Sequence, residues 1–392
     1  MTKKAEYVIF GKDLDPGAIS QMEDAVSIPV AVKGALMPDA HMGYGLPIGG
    51  VLAVKDAVIP YAVGVDIACR MKLSVLSIPF EQYEAHKQSF REAIETRTKF
   101  GVGEEFSRPG QHPVMDEDWN IIPLVNSLKD KAHKQLGTSG SGNHFAEFGK
   151  LILTRDDIGL KAGEYIAFLT HSGSRGTGAQ IADHYSSLAK RLHPELGKPL
   201  NNLAWLDMKK GDGIEYFKAM ELMGRYASAN HEIIHDAVLE FLGEAAIIKI
   251  ENHHNFAWKE KIGMQDVIVH RKGATPAGKG VLGIIPGSMA DPGFIVRGLG
   301  KDESLMSAAH GAGRRMSRSA ATKQFSFKDL QNVMQKRQIT LISAGLDEIP
   351  MAYKNIEDVM DQQKGLVEIV AIFEPKLVKM APPDRKRSKR RR

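Results

Sequence analysis

The hydrophobic pattern along the chain predicts both strands and helices. Short runs rich in Val and Ile, broken by Gly, Pro or Asp, predict strands that end at Val54, Ile78, Ile250, Val269, Ile285 and Val296. Apolar residues that recur every three or four positions from Ile214 to Leu242 predict the clearest helix. Further helices are predicted over residues 81–96, 179–192 and 355–363. Because the elements do not alternate as regular βαβ units, the pattern favours an α+β fold over a doubly wound sheet.

The same pattern predicts a single large domain. The sequence contains no internal repeat at solenoid periods and no low-complexity linker inside its body. We therefore expect one mixed domain over residues 1–383, followed by a basic tail over residues 384–392. Two stretches rich in Gly, Pro and Asp, residues 101–120 and 193–213, are expected to be surface insertions that contact substrate.

The composition excludes several classes of protein. Apolar residues make up 43% of the 392 residues and charged residues 25%, which is typical of a globular protein and not of a disordered or fibrous one. The single cysteine excludes an intrachain disulfide. The sequence shows no signal peptide and no run of about 18 apolar residues. We expect a cytoplasmic protein that does not contact a membrane.

The positive net charge comes from the end of the chain. The formal net charge is +5, but residues 384–392 contain seven of the 52 basic residues and one of the 47 acidic ones. Residues 1–383 therefore carry a net charge of −1. Such a tail would bind phosphate without sequence preference and in a salt-sensitive way. A solvated tail that binds nothing accounts for the run equally well.

Six short segments collect Gly, Ser, His and Asp where predicted strands end. They cover residues 38–45, 64–69, 137–147, 170–176, 251–255 and 307–314. Glycines allow the backbone to approach a ligand closely, and turns after strands present polar side chains. We expect these segments to form the functional site.

Five residues in these segments are candidate metal ligands. Asp66 and Cys69 share one segment, whereas His144, His171 and His254 lie in three others. A carboxylate, a thiolate and three imidazoles exceed the needs of one tetrahedral ion, and a thiolate can bridge two ions, so the set indicates a binuclear centre. Each histidine taken alone is better explained as a hydrogen-bonded core or loop residue.

His310 is a candidate nucleophile. It lies in a Gly-rich, cationic segment, and an imidazole that attacks phosphorus forms a high-energy phosphoramidate. The alternative is a histidine that is hydrogen-bonded in a helix-opening turn. For the phosphates of a bound nucleotide, the loop 286–293 and the turn Arg271–Gly273 offer amides and positive charge.

Taken together, the segments resemble the RtcB family of RNA ligases, from residues 37–50 through 347–360. The resemblance implies an α+β fold unlike that of ATP-dependent ligases, two Mn²⁺ ions, and GTP as cofactor. It implies RNA substrates with 3′-phosphate or 2′,3′-cyclic phosphate ends and 5′-hydroxyl ends, joined in tRNA splicing or RNA repair. It also implies a monomer, together with an activator that resembles archease.

The resemblance assigns roles by motif. Asp66, Cys69 and His144 would hold one Mn²⁺, and Cys69, His171 and His254 the other. His310 matches the histidine that is guanylylated before GMP passes to the RNA 3′-phosphate. The residues that would surround the nucleotide are Asn143, Glu147, Asn255, Pro286, Gly287, Ser288, Met289, Gly311, Ala312, Gly313, Tyr353 and Lys379.

Four positions depart from the family pattern and indicate a divergent paralogue. Gly293 and Ala290 replace a common serine and glycine in the nucleotide loop, which would weaken nucleotide binding. Arg70 replaces a small residue after the ligand cysteine. His231 replaces an arginine, which would alter the RNA channel.

Two other functions stay open, the first because of Gly293 and the second because of the basic tail. One is a metal-dependent RNA cyclic phosphodiesterase or nuclease without productive use of GTP. The other is an RNA-binding adaptor that has a structural metal site and binds RNA mainly through its tail.

Overall fold

Two mixed sheets contain most of the strands in the computed structural model, which describes residues 4–383. The basic tail at 384–392 lies outside the described residues. The strands are β1 (Glu6–Ile9), β2 (Ala31–Tyr44), β3 (Leu46–Val54), β4 (Ala57–Val58), β5 (Arg70–Pro79), β6 (Lys99–Phe100), β7 (Thr138–Gly140), β8 (Phe145–Leu153), β9 (Gly163–Ser172), β10 (Leu206–Asp207), β11 (Ala246–His253), β12 (Asn255–Ile262), β13 (Gln265–Lys272), β14 (Ala274–Pro276), β15 (Leu282–Ile285), β16 (Gly293–Gly298), β17 (Ser307–Ala309), β18 (Thr340–Ser343) and β19 (Val367–Met380).

The helices differ widely in length. The α-helices are α1 (Pro16–Ala25), α2 (Pro60–Val63), α3 (Tyr83–Arg97), α4 (Pro123–Ser127), α5 (Lys129–Gln135), α6 (Arg175–Leu192), α7 (Gly211–Leu242), α8 (Arg318–Gln324), α9 (Phe327–Lys336) and α10 (Ile356–Asp361). Short 3₁₀ turns cover Phe80–Gln82, Pro113–Asp116, Leu200–Leu203, Asp302–Ser304, Leu346–Glu348 and Pro350–Ala352. Within residues 4–383, no helix has the length and apolar character needed to cross a membrane.

The sheet order confirms the α+β prediction. The first sheet has the order β1-β2-β3-β13-β12, and the second has the order β11-β5-β9-β8-β19-β16-β15 with β18 beside β19. Neighbouring strands of the second sheet from β11 to β15 are antiparallel. Parallel pairing occurs between β1 and β2 and between β18 and β19. No run of parallel strands linked by helices forms in the described residues, so the sheets are not doubly wound.

The predicted strands and helices are confirmed, with shifts at their ends. The six apolar runs are β3, β5, β11, β13, β15 and β16, and the four helical patterns are α3, α6, α7 and α10. Helix α7 begins at Gly211 and ends at Leu242, where Gly243 adopts a left-handed φ of 69°. Such a left-handed residue closes a helix at little cost when it is glycine.

The prediction of two surface insertions is only partly right. Trp119 in the stretch 101–120 and Leu203 and Leu206 in the stretch 193–213 are each 1% exposed. Their side chains join the largest hydrophobic cluster, where the Trp119 ring contacts the Tyr226 ring of α7 edge-to-face at 6.0 Å. The Gly, Pro and Asp content identified loop backbone correctly, but it did not reveal the apolar residues that anchor these loops.

Aromatic stacking joins α3 to the second sheet. The ring centroid of Phe148 on β8 lies 4.6 Å from that of Phe90 on α3 and 4.8 Å from that of Phe168 on β9. All three side chains are fully buried. This contact holds the helix against the strands whose ends form the site described below.

Replacing Phe148 should therefore destabilise the protein strongly. We expect Phe148→Ala to lower the free energy of unfolding by about 3–5 kcal/mol, because a buried ring leaves a cavity that neighbours cannot fill. Urea unfolding followed by circular dichroism measures the change. The control is Phe327→Ala, whose ring is 48% exposed, with an expected loss below about 1 kcal/mol. Equal losses in the two variants would contradict the assigned packing.

Candidate active site

Strand pairing brings the predicted metal ligands together at one end of the second sheet. In the order β11-β5-β9-β8, Arg70 lies opposite both His253 and Ser172, and His171 lies opposite Phe145. Cys69, His144 and His254 are immediate chain neighbours of these paired residues. The hydrogen-bond register therefore places segments that are distant in sequence in one row.

The side chains form a cluster with the thiol at its centre. The Cys69 Sγ lies 3.0 Å from the His171 Nε2 and 3.4 Å from the His144 Nε2. The His144 Nε2 lies 2.9 Å from the Asp66 Oδ2, and the His171 Nε2 lies 3.2 Å from the His254 Nε2. Candidate ligand atoms of Cys69, His144 and His171 all lie within 4.8 Å of one another. The structure thus brings all five predicted ligands together.

Hydrogen bonds behind the rings orient two of the histidines. The Nδ1–H of His144 donates to the Ser139 carbonyl at 2.8 Å, and the Nδ1–H of His171 donates to the Asn143 carbonyl at 3.0 Å. These acceptors fix the tautomer that leaves each Nε2 with a lone pair directed into the cluster. Histidines that bind metal ions usually donate their other ring N–H to an acceptor of this kind.

Burial keeps His171 and His254 neutral. It lowers the pKa of His171 to about 3 and the pKa of His254 far below its usual value. Burial alone would raise the pKa of Asp66, but its close contact with His144 and the positive charge of Arg175 outweigh burial and lower that pKa to about 2. Imidazole nitrogens, one thiol and one carboxylate form a donor set that fits a divalent cation.

Two backbone positions beside the cluster have unusual steric requirements. Ala68, directly before Cys69, has a left-handed φ of 57°, which is uncommon for a residue with a side chain. A Cβ on Gly173 would lie 2.3 Å from the Asp66 Oδ1. Glycine at 173 is therefore required by the carboxylate that faces it.

His310 lies beside the cluster and is oriented by a buried carboxylate. The His310 Nδ1 lies 2.6 Å from the Asp39 Oδ2, and the His310 backbone N–H donates to the same oxygen at 3.1 Å. Asp39 is 0% exposed. The His310 ring centroid lies 5.0 Å from that of His254. His310 follows strand β17 and does not open a helix, so the alternative explanation for this residue is wrong.

Sequence reasoning missed Asp39. It singled out residues 38–45 but gave this aspartate no role, because nothing local to the segment points to His310, which lies 271 positions further along the chain. The structure also shows why Asp39 is held in place. The Lys354 Nζ donates to the carbonyls of Pro38 at 3.1 Å and Ala40 at 2.9 Å, on either side of it.

A cavity of about 780 Å³ opens onto the cluster and His310. This volume is typical of sites for small molecules and cofactors. All predicted site residues except His144 and Lys379 line it, including those of the segments 286–289 and 310–313. The same cavity is therefore lined by four of the five candidate metal ligands, by the candidate nucleophile and by most of the candidate nucleotide contacts.

Lys379 does not reach the cavity. Its Nζ donates to the backbone carbonyls of Ile94, Glu95 and Thr98, at 3.1, 3.2 and 3.1 Å. Side chains alternate between the two faces of a strand, and Met380 is the neighbour on β19 that lines the cavity. In this structure Lys379 binds the last carbonyls of helix α3.

Polar side chains in the cavity are held in fixed positions. Burial raises the pKa of Glu147 well above its usual value. The Tyr353 hydroxyl donates to Glu348, and Arg314 donates to the same carboxylate at 2.7 Å. Asn255 accepts from the Gly273 N–H at 2.7 Å. Such networks fix polar groups where a ligand would meet them.

Two sequence predictions about loops are only partly right. Arg271 pairs with Glu260 at 2.6 Å, and the Lys272 Nζ donates to the carbonyls of Tyr44 and Tyr61, so neither side chain faces the cavity. One of the six segments does not lie at the end of a strand. Residues 64–69 lie between α2 and β5, whereas residues 38–45 include the end of β2.

Three of the four residues that depart from the family pattern have different surroundings in the structure. His231 is buried, with its Nδ1 2.8 Å from the Thr170 Oγ1, and it does not line the cavity as an RNA channel residue would. Arg70 is buried in an ion pair with Glu251. A Cβ on Gly293 would lie 3.4 Å from the Pro286 Cα, its nearest neighbour, so the backbone leaves room for a Cβ at this position.

Comparisons with known proteins agree with the resemblance. The family model described as tRNA-splicing ligase RtcB matches residues 21–121 and 116–380. The RNA-splicing ligase RtcB of Escherichia coli K12 is 35% identical, over 92% of this chain and 93% of its own length. The tRNA-splicing ligase RtcB of Nanoarchaeum equitans is 31% identical, over 91% of this chain and 90% of its own.

Metal binding should depend on the thiol at the centre of the cluster. We expect Cys69→Ser to weaken binding of Mn²⁺ and Zn²⁺ at least about 100-fold, because removal of a ligand costs more than the 10- to 100-fold loss typical of a supporting residue. Isothermal titration of metal-stripped protein measures this. His184→Asn, a substitution at an exposed histidine, should bind as wild type does. Unchanged affinity in Cys69→Ser would exclude the cluster as the metal site.

Proposed function

The chain belongs to the RtcB family, and on that basis we propose that it is an RNA ligase that joins 3′-phosphate or 2′,3′-cyclic phosphate ends to 5′-hydroxyl ends. GTP supplies the activating group, Mn²⁺ is the metal, and His310 carries the guanylyl group. The names of its relatives, which are RNA-splicing and tRNA-splicing ligases, support RNA as the substrate. Joining serves tRNA splicing or RNA repair.

One observation carries the proposal: His310 is held by Asp39 while its ring lies against the cluster of candidate ligands. A proton on Nδ1, donated to the Asp39 carboxylate, leaves the lone pair on Nε2. An orienting carboxylate of this kind also stabilises the positive charge that develops on an attacking imidazole. His310 thus has the tautomer, support and neighbours that a nucleophile needs.

The chemistry proceeds by three displacements at phosphorus. The His310 Nε2 attacks the α-phosphorus of GTP, a P–N bond forms, and the bond to pyrophosphate breaks. An oxygen of the RNA 3′-phosphate then displaces His310, which gives RNA 3′-pp-5′-G. Finally the 5′-hydroxyl attacks the activated 3′-phosphate, loses its proton and releases GMP. A 2′,3′-cyclic end first takes up water at phosphorus, and the bond to the 2′-oxygen breaks to leave a 3′-phosphate. Each step exchanges one bond to phosphorus for another and needs no outside oxidant or reductant.

The cluster would hold the metal ions. Asp66, Cys69 and His144 suit one ion, and Cys69, His171 and His254 a second, with the thiolate shared. When bound, the ions supply positive charge that neutralises the phosphoryl oxygens. Imidazole and thiolate donors bind Zn²⁺ more tightly than Mn²⁺, so Mn²⁺ would be selected by geometry and supply.

The cavity offers contacts for guanine and phosphates. Glu147 is buried there with no charged partner among the described residues, and a carboxyl group can accept hydrogen bonds from the N1 and N2 edge of guanine. Residues 286–289 form a turn beside His310 whose backbone groups can meet phosphate oxygens. Lys379 is not part of this proposed contact set.

His310→Ala should abolish covalent labelling by GTP. Incubation of wild type with α-³²P-GTP and Mn²⁺ should give labelled protein that survives denaturing electrophoresis and is lost in acid, as a phosphoramidate is. The control His184→Ala removes an exposed histidine and should label normally. Equal labelling of wild type and His310→Ala would remove the basis of the proposal. Opening of a cyclic end without joining, at saturating GTP, would favour the phosphodiesterase instead.

Asp39→Asn should slow guanylylation about 10²- to 10⁴-fold without loss of metal binding. The amide donates where the carboxylate accepts, so it favours the tautomer with the proton on Nε2, and a comparable substitution in a catalytic triad costs about 10⁴-fold. Single-turnover labelling measures the rate, and titration with Mn²⁺ measures the site. A normal rate in Asp39→Asn would show that Asp39 does not orient the nucleophile.

A further inference from the structure

A second cavity, of about 400 Å³, adjoins the first and shares Tyr44 as a wall residue. Its other walls include Lys190 at the end of α6 and the loop from Lys198 to Asn202. The first cavity contains the candidate chemistry, whereas the second has no cluster of metal ligands or nucleophiles among its lining residues. It therefore has the properties of a binding site beside the candidate reaction centre.

Tyr44 combines a solvated ring with a fixed backbone. The residue is 70% exposed. The Lys272 Nζ donates to the Tyr44 carbonyl at 2.6 Å, and Gln21 exchanges two hydrogen bonds with Gly43, at 2.7 and 2.9 Å. Aromatic rings presented to solvent on a rigid support are the platforms on which proteins stack single-stranded bases.

The charges around Tyr44 suit a nucleic-acid backbone. Among the described residues, neither Lys190 nor Lys198 has a carboxylate within ion-pair distance. The Lys190 Nζ lies 5.1 Å from the centroid of the Tyr61 ring, which in turn contacts the Tyr44 ring edge-to-face at 6.4 Å. Asp24 also lines the cavity, so its charged residues sum to one positive charge.

We propose that the second cavity binds a single-stranded segment of the RNA substrate next to the end that reacts. Tyr44 stacks on a base, Lys190 and Lys198 contact phosphates, and the amides of Asn201 and Asn202 bond to base edges or 2′-hydroxyls. The inference rests on the proposed ligase function. A single strand fits better than a duplex, because only unpaired bases expose faces on which a tyrosine can stack.

Direct binding to the full-length protein tests the site. Fluorescence anisotropy, without GTP, measures the affinity for two labelled single-stranded RNAs, one with a 3′-phosphate and one with a 5′-hydroxyl. We expect Tyr44→Leu to weaken binding of one or both about five- to tenfold, because a stacked base is lost. Tyr44→Trp keeps an aromatic face and should bind within about twofold of wild type.

Salt dependence tests the lysines separately. In Lys190→Ala/Lys198→Ala the slope of log affinity against log salt should fall by about 1.4, since each phosphate contact to a single strand contributes about 0.7. The matched control is Lys161→Ala/Lys261→Ala, which removes one exposed lysine between β8 and β9 and one near the end of β12. This control should keep the wild-type slope. Thermal unfolding confirms that each variant folds.

The outcomes separate the inference from the proposed function. If Tyr44→Leu loses affinity for only one of the two RNAs, the site is supported, and the affected RNA shows which of the two ends lies beside it. Wild-type affinity of Tyr44→Leu for both RNAs, or an equal loss in Tyr44→Trp, overturns it, as does an unchanged salt slope in the double lysine variant. If wild type joins no ends and yet Tyr44→Leu binds more weakly, the ligase proposal fails and the strand site stands.

Discussion

The hydrogen-bond register between β11, β5, β9 and β8 is the constraint on which the candidate site depends. Side chains of a strand alternate between two faces, so a slip of one residue would turn His171 away from Cys69. The buried aromatic stack of Phe90, Phe148 and Phe168 packs on these strands and resists such a slip. Core packing and site geometry are therefore consequences of the same pairing.

The site also joins the two sheets. The cluster belongs to the second sheet, whereas Asp39 comes from β2 of the first, and His310 lies between them. Because Lys354 holds the backbone on both sides of Asp39, the candidate nucleophile His310 is positioned by residues outside the candidate ligand set. An arrangement of this kind fixes the orientation of the His310 ring before any substrate arrives.

The sequence predicted the features that follow from a local period or a local composition. It did not predict contacts between residues that are far apart along the chain. The apolar periods identified β3, β13 and α7, and the Gly and His segments contained the candidate metal ligands that the structure brings together. The partnership of Asp39 with His310 depends on the approach of two sheets, which no local pattern encodes. Lys379 was assigned by motif, but its direction depends on strand alternation at the end of β19. The sequence predicted that the charges of Arg271 and Lys272 would be available to phosphate. In the structure Arg271 pairs with Glu260, and Lys272 donates to two backbone carbonyls.

The position of β19 affects how the protein is made. This strand follows all the others in the described chain, yet it lies inside the second sheet, between β8 and β16. During synthesis the facing edges of β8 and β16 stay unpaired until residues 367–380 leave the ribosome. Non-local pairing of this kind slows folding and leaves unpaired edges exposed to aggregation. The second sheet, whose end carries the candidate metal ligands, is thus completed only late in translation.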